Sequence, residues 1–204
     1  MKIICIGRNY ADHALELNNP APSQPVIFLK PETALLEDDR PFPIPEWSDE
    51  IHYEIELVVR IHREGKDIPS HEAHLYYDEV SVGIDFTARD VQSKLKAQNH
   101  PWERAKAFDC SAAVGRFLKL EELDRPIGDL HFQLVKNGGI AQDGHTENML
   151  FPVADIIAEI STFMTLKPGD LIFTGTPAGV GPVSSGDLLE GRLEDQLLFR
   201  VAIQ

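Results

Sequence analysis

Residues 51–61 read Ile-His-Tyr-Glu-Ile-Glu-Leu-Val-Val-Arg-Ile. Ile51, Tyr53, Ile55 and Leu57 alternate with His52, Glu54, Glu56 and Val58. Alternation with a period of two marks a β-strand, so Glu54 and Glu56 share one face. Two readings of that face stay open. It is either the solvated side of a half-exposed strand, the commoner origin of such a pattern, or a pair of carboxylates gathered around a cation. Side by side and buried, the two would repel, and something positive would have to lie between them. Mg²⁺ and Mn²⁺ are the simplest candidates, because hard dications prefer oxygen ligands.

On either side of this stretch the chain reads as many short strands and few helices. Lys2–Ile6, Pro25–Lys30, Val80–Ile84 and Leu171–Thr174 are short apolar runs. Leu130–Lys136 and Ile140–Gln142 flank Asn137-Gly138-Gly139, a hairpin signal. Asp187–Ile203 reads as two strands with a turn near Glu190-Gly191. Helical spacing appears over Asn9–Asn18, over the charged stretch Thr87–Gln98, and most clearly over Val153–Leu166. In the last, Val153, Ile156, Ile157, Ile160, Phe163 and Met164 fall on one face. Residues 31–50 hold four prolines and read as a surface loop. The helices are not spaced as crossovers between parallel strands. The expected class is therefore α+β, mainly β, with a mixed or antiparallel sheet and a few helices.

The 204 residues suit one domain spanning 1–204. A net charge of −14 repels phosphate backbones and anionic bilayers, so neither nucleic acid nor membrane is an expected partner. The apolar stretch before Arg8 is too short for a signal peptide, and no run approaches a membrane span. Two distant cysteines, Cys5 and Cys110, match a reducing, cytoplasmic setting and read as small core residues. No His-x-His or His-x-x-x-His spacing is present, which disfavours zinc.

Other residues have chemistry to offer. Asp85 ends the apolar stretch Val80–Ile84, where an acid is unexpected, although spacing does not bring it to the glutamates. His13 and Glu16 lie three apart on a helical segment, which suits either a general base held by a carboxylate or an ordinary exposed pair. Lys106 is a candidate partner for an anionic substrate or a solvated lysine. Thr174–Pro182, rich in glycine and proline, allows close backbone approach to a ligand and offers N–H groups and the Thr176 hydroxyl. As a bare loop it is equally a turn.

In this order the pieces resemble the fumarylacetoacetate hydrolase family. The landmarks are Gly7-Arg8-Asn9-Tyr10-Ala11-Asp12-His13, Phe28-Leu29-Lys30-Pro31, and His52-Tyr53-Glu54-Ile55-Glu56-Leu57. They continue through Asp85-Phe86-Thr87-Ala88-Arg89-Asp90-Val91-Gln92, Trp102 to Asp109, and Thr174-Gly175-Thr176-Pro177-Ala178-Gly179-Val180-Gly181. The match is to short acylpyruvase and oxaloacetate decarboxylase or tautomerase types. The resemblance implies a mixed β-sandwich roll, a homodimer, and Mg²⁺ or Mn²⁺ held by Glu54, Glu56 and Asp85. It implies water activation by His13 and Glu16, with Lys106 catalytic. It implies binding of a 2-oxo acid by Arg8, Tyr10, Gln92, Lys106 and Thr176. The alternatives are a 2-hydroxyhepta-2,4-diene-1,7-dioate isomerase or related hydratase, and a non-catalytic 2-oxo acid binder. Within residues 142–149, His145 departs from the family-like outline. Leu17 to Gln24 is the stretch expected to shape substrate choice.

Overall fold

The computed structural model describes residues 1–16, 20–37 and 40–204. The strands are β1 (Ile3–Gly7), β2 (Val26–Lys30), β3 (Ile51–Tyr53), β4 (Ile55–Ile61), β5 (Tyr77–Asp85), β6 (Thr87–Ala88), β7 (Ala112–Val114) and β8 (Leu118–Lys119). They continue with β9 (His131–Lys136), β10 (Gly139–His145), β11 (Leu171–Phe173), β12 (Gly181–Pro182), β13 (Leu188–Leu193) and β14 (Gln196–Ala202). The α-helices are α1 (Ala11–Glu16), α2 (Arg89–Ala97), α3 (Glu103–Lys106) and α4 (Val153–Phe163). The expected class, mainly β with few helices, is what forms. The helical reading of Leu17 and Asn18 lies outside the described residues.

A seven-stranded sheet runs β2-β1-β11-β4-β5-β7, with β8 also on β5. It is mixed, since β1 pairs β11 in parallel while β4 and β5 pair antiparallel. A second, antiparallel sheet runs β10-β9-β13-β14, and a small third one β12-β3-β6. Ile55, Leu57, Val59, Val80, Val82 and Ile84 of the first sheet pack in one core with Phe132, Leu134, Leu189 and Val201 of the second. The first sheet's other face packs Val58 and Phe173 with Ile3 and Cys5. This sheet is covered on both sides, so β4 is buried almost throughout despite its alternating sequence. Glu54 is 4% exposed and Glu56 2%, which rules out the solvated-face reading.

The stretch 51–61 does not stay in one sheet. It pairs with β6 as β3, breaks at Glu54, and continues as β4 against β5. The neighbouring chain makes the same change, leaving β5 at Asp85 and entering β6 at Thr87. The Asp85 N–H donates to the Glu54 carbonyl at 2.9 Å where both strands switch. The two acids thus face each other at the junction of two sheets.

Three local expectations are corrected. The last hairpin does not turn at Glu190-Gly191. A Cβ on Gly191 would lie 2.0 Å from the Phe199 ring, so this glycine makes room for a cross-strand aromatic. The turn falls at Glu194-Asp195, between β13 and β14, where Glu194 adopts φ 49°. Helix α4 stops at Phe163 rather than Leu166, because Met164 turns extended and Leu166 exchanges both backbone hydrogen bonds with Gly65. Phe163 accordingly lies off the buried face and is exposed. The Asn137-Gly138 hairpin forms as read, with φ positive at both residues. Cys5 is buried and Cys110 partly so, both as free thiols.

Gly83 lies opposite Glu56 in the ladder. A Cβ there would sit 2.6 Å from the Ala113 carbonyl oxygen and 2.9 Å from Phe173 and Val58. Gly83→Ala should therefore lower stability by about 1–3 kcal/mol, the usual cost of overpacking. A urea titration should show this as a lower midpoint at unchanged slope.

Candidate active site

The carboxylates of Glu54, Glu56 and Asp85 each offer an oxygen within 4.8 Å of the other two, and all three residues are buried. Two like charges at about 4 Å repel by roughly 4 kcal/mol at an effective dielectric near 20. Three such pairs rival the net stability of a whole domain, about 5–15 kcal/mol, so counter-charge is obligatory.

Three buried cations of this chain supply it, to Glu54 and Asp85 rather than to Glu56. Lys106 Nζ donates to Glu54 Oε2 at 2.8 Å, Asp85 Oδ2 at 2.6 Å and Thr87 Oγ1 at 2.5 Å. Arg89 Nη2 donates to Glu54 Oε1 at 2.5 Å, and Thr87 Oγ1 donates to the same oxygen at 2.9 Å. Lys30 Nζ, wholly buried, pairs with Asp85 Oδ1 at 2.8 Å and donates to Ser111 Oγ at 2.9 Å. Burial alone would raise the Glu54 pKa, but Lys106 and Arg89 outweigh it and hold the carboxyl well below the usual range. Glu56 meets the opposite fate. Burial, then Asp85 and Glu54, push its pKa well up, against a hydrogen bond from the Gly175 N–H at 2.7 Å and the more distant charge of Lys106. Asp85 Oδ1 has an ion pair but no hydrogen-bond donor in proper geometry. A strained Glu56, an under-satisfied Asp85 oxygen and an all-oxygen donor set fit a hard dication.

His13 and Glu16 come in from α1. His13 Nδ1 lies 3.2 Å from Glu16 Oε2, and the Gly179 N–H donates to Glu16 Oε1 at 3.1 Å. His13 is buried and lines the same small cavity as the three carboxylates, together with Arg8, Arg89, Gln92, Lys106 and Thr176. The cavity holds about 30 Å³. A larger groove of about 730 Å³ shares none of its lining residues and contains neither the carboxylate cluster nor His13.

Eight of the ten residues expected in the site therefore line one cavity, and Glu16 joins them through His13. The tenth, Tyr10, neither lines the cavity nor reaches it through a hydrogen bond. Its ring packs edge-on against Phe132 at 6.4 Å, and its buried hydroxyl has no partner among the described residues. Lys106 differs in detail from expectation, since all three of its N–H groups already serve Glu54, Asp85 and Thr87.

The Thr174–Pro182 loop also does something other than expected. Its Gly175 and Gly179 N–H groups hold two protein carboxylates, Glu56 and Glu16, rather than pointing at open space. Both glycines adopt positive φ, 103° and 98°, and a Cβ on either would come within 2.6 Å of a neighbour. Asn9 anchors the loop by donating to the Thr174 carbonyl at 2.7 Å. Gln142 steadies its far side: it accepts from Ile55 N–H at 2.8 Å and donates to Thr176 Oγ1 at 2.8 Å and to the Pro177 carbonyl at 2.9 Å. Asn9, Lys30 and Arg89 stand in the landmark stretches quoted above and Gln142 ends a strand there, but none of the four is given a role in the site. Lys30 and Arg89 each left a trace, as a charge closing an apolar run and a charge beside the Asp85 strand end.

The sequence pattern of the fumarylacetoacetate (FAA) hydrolase C-terminal family matches residues 2–201. A mitochondrial oxaloacetate tautomerase of Bos taurus is 38% identical over 99% of this chain and 91% of its own length. A mitochondrial oxaloacetate decarboxylase of Dictyostelium discoideum is 40% identical over 93% of this chain and 87% of its own. Among solved structures, a fumarylpyruvate hydrolase of Pseudomonas aeruginosa, in complex with Mn²⁺ and pyruvate, superposes with a TM-score of 0.91 at 34% identity. The match covers 100% of this chain and 90% of that one.

The raised pKa of Glu56 has a definite sign. A carboxyl whose folded pKa exceeds its unfolded value, about 4.3, costs the fold stability as pH rises above that value. In chelator, Glu56→Gln should therefore melt higher than wild type, by a margin that widens from pH 5 to pH 8. Added Mn²⁺ should raise the wild-type melting point, more so at pH 8, and leave Glu56→Gln unmoved. Thermal melts in the two conditions check both expectations.

Proposed function

The chain belongs to the fumarylacetoacetate hydrolase family, and on that basis we propose that it is a Mg²⁺- or Mn²⁺-dependent enzyme of small 2-oxo acids. Its reactions would be keto–enol tautomerisation or decarboxylation of oxaloacetate and C–C hydrolysis of acylpyruvates. The observation that carries this reading is the convergence of Glu54, Glu56 and Asp85 with His13 and Thr176 on one buried cavity. Glu54, Glu56 and Asp85 would hold the ion, which when bound supplies Lewis-acid stabilisation of enolate charge.

The other steps fall to the chain's own groups. Gln142 donates to the Thr176 oxygen, and the Thr176 hydroxyl makes only a long 3.5 Å bond to the Pro177 carbonyl, so its hydrogen can turn to a substrate carboxylate. Gln92 is held by Arg89 Nη1 at 2.7 Å, which fixes its amide at the cavity wall. Glu16 receives the Gly179 N–H and orients the His13 ring through Nδ1, leaving Nε2 to take a proton from water. That water adds to the distal carbonyl of an acylpyruvate. The C–C bond then breaks, and the pyruvate enolate leaves and is protonated at carbon. Decarboxylation of oxaloacetate reaches the same enolate with loss of CO₂ and needs no activated water. Tautomerisation moves one proton between C3 and the enol oxygen.

One observation favours substrates with a second carboxylate. Lys96 joins Arg8 and Arg89 on the cavity lining, and burial, then Arg8 and Arg89, lower its pKa. These three cations on one wall, within a protein of net charge −14, form a local anion trap. Oxaloacetate and fumarylpyruvate carry that second carboxylate, whereas acetylpyruvate does not.

The test is a panel of oxaloacetate, acetylpyruvate and fumarylpyruvate with Mg²⁺, Mn²⁺ or chelator, followed by loss of enol absorbance. Turnover is expected with either metal and none in chelator, and full activity in chelator would contradict the reading. His13→Ala should cut acylpyruvate hydrolysis by about 10²–10⁴-fold, the usual share of a general base. It should leave oxaloacetate decarboxylation nearly intact. Lys96→Met should raise KM for oxaloacetate and fumarylpyruvate well beyond its effect on acetylpyruvate, and equal effects on all three would remove the anion-trap argument.

A further inference from the structure

His131 on β9 and His145 on β10 stand directly opposite each other in the antiparallel ladder. Opposed side chains in such a pair have Cβ atoms about 4.5–5.5 Å apart. Asp143 lies two residues before His145 and so projects from the same face. Along β10, Gln142 and Gly144 are buried while Asp143 and His145 are exposed, so this face looks outward. The two imidazole rings stack at 4.5 Å between centroids, 23° from parallel. His131 Nε2 is hydrogen-bonded to Asp143 Oδ1, which also receives the Gln133 amide at 3.4 Å. One ligand atom from each of His131, Asp143 and His145 lies within 4.8 Å of the other two. None of the three lines the cavity of Glu54, Glu56 and Asp85.

A surface ion pair accounts for His131 and Asp143. It does not account for His145, whose ring is laid over His131 and offers a second imidazole nitrogen to the same spot. We propose that His131, Asp143 and His145 form a second metal site, for a borderline dication of the zinc class. Two imidazoles and one carboxylate suit Zn²⁺, Ni²⁺ and Cu²⁺, whereas the buried centre offers only oxygen. The metal takes the place of the hydrogen bond between His131 and Asp143. Three protein ligands leave the remaining position to water. Strand β10 is an edge of the four-stranded sheet, so the ion staples that edge to β9. The inward side of the same strand carries Gln142, which supports the Thr176 loop.

The experiment is calorimetric titration of Zn²⁺ into the full chain in saturating Mg²⁺, which occupies the all-oxygen centre. Wild type should bind one Zn²⁺ per chain that Mg²⁺ does not displace. His145→Asn and His131→Gln should each weaken that binding by more than about tenfold, the low end of what loss of even an outer-shell partner costs. Mg²⁺-supported turnover should be unchanged in both variants. Because His145 is exposed, its variant carries the test even where His131→Gln is poorly folded. Absence of Zn²⁺ binding in wild type, or binding that survives His145→Asn unweakened, would overturn the proposal.

Discussion

The structure is organised around three almost wholly buried carboxylates whose counter-charge is unevenly placed. Glu54 and Asp85 meet because the strands that carry them leave the large sheet together and enter the small one together. Glu56 follows on the same side of β4, two residues on. Lys106, Arg89 and Lys30 compensate Glu54 and Asp85, and the most exposed of these cations, Arg89, is only 9% exposed. Glu56 is left with one backbone N–H. The electrostatic cost is thus concentrated on one residue, and a cation binding there gains what the fold has given up.

The glycine-rich loop is the second organising feature, and it works through its backbone. One N–H fixes Glu56 among the carboxylates, and another, four residues later, fixes Glu16 behind His13. The carboxylate cluster and the His13–Glu16 pair are therefore both tied to one segment. Asn9 grips it at the β1 end and Gln142 at the β10 end. These anchors are buried and hydrogen-bonded on several sides, as polar groups in a core must be. The geometry needed for proton transfer thus depends on residues that touch no substrate.

Much of this was readable along the chain and some was not. Alternation placed Glu54 and Glu56 on one face, and helical spacing paired His13 with Glu16. Strand periodicity did not tell a solvated face from a buried one, because that depends on what covers the sheet. The covering elements, β9 and β13 above all, are remote in sequence. Lys30, 76 residues from its Lys106 contact, and Gln142, 87 from Ile55, escaped notice for the same reason. Asp85 reached the site only through the family resemblance. Gly191 shows the limit of residue-type rules: glycine suggested a turn, yet it serves to clear Phe199.

The central claim is that the Glu54–Glu56–Asp85 cluster is a site for one hard dication. The most direct measurement is the number of Mn²⁺ ions bound per chain, counted from the free-ion electron paramagnetic resonance signal in wild type and Asp85→Asn. One tightly bound ion per chain in wild type, lost in Asp85→Asn, is the result expected. A wild type that binds none, or an Asp85→Asn protein that binds Mn²⁺ as tightly as wild type, would contradict the account.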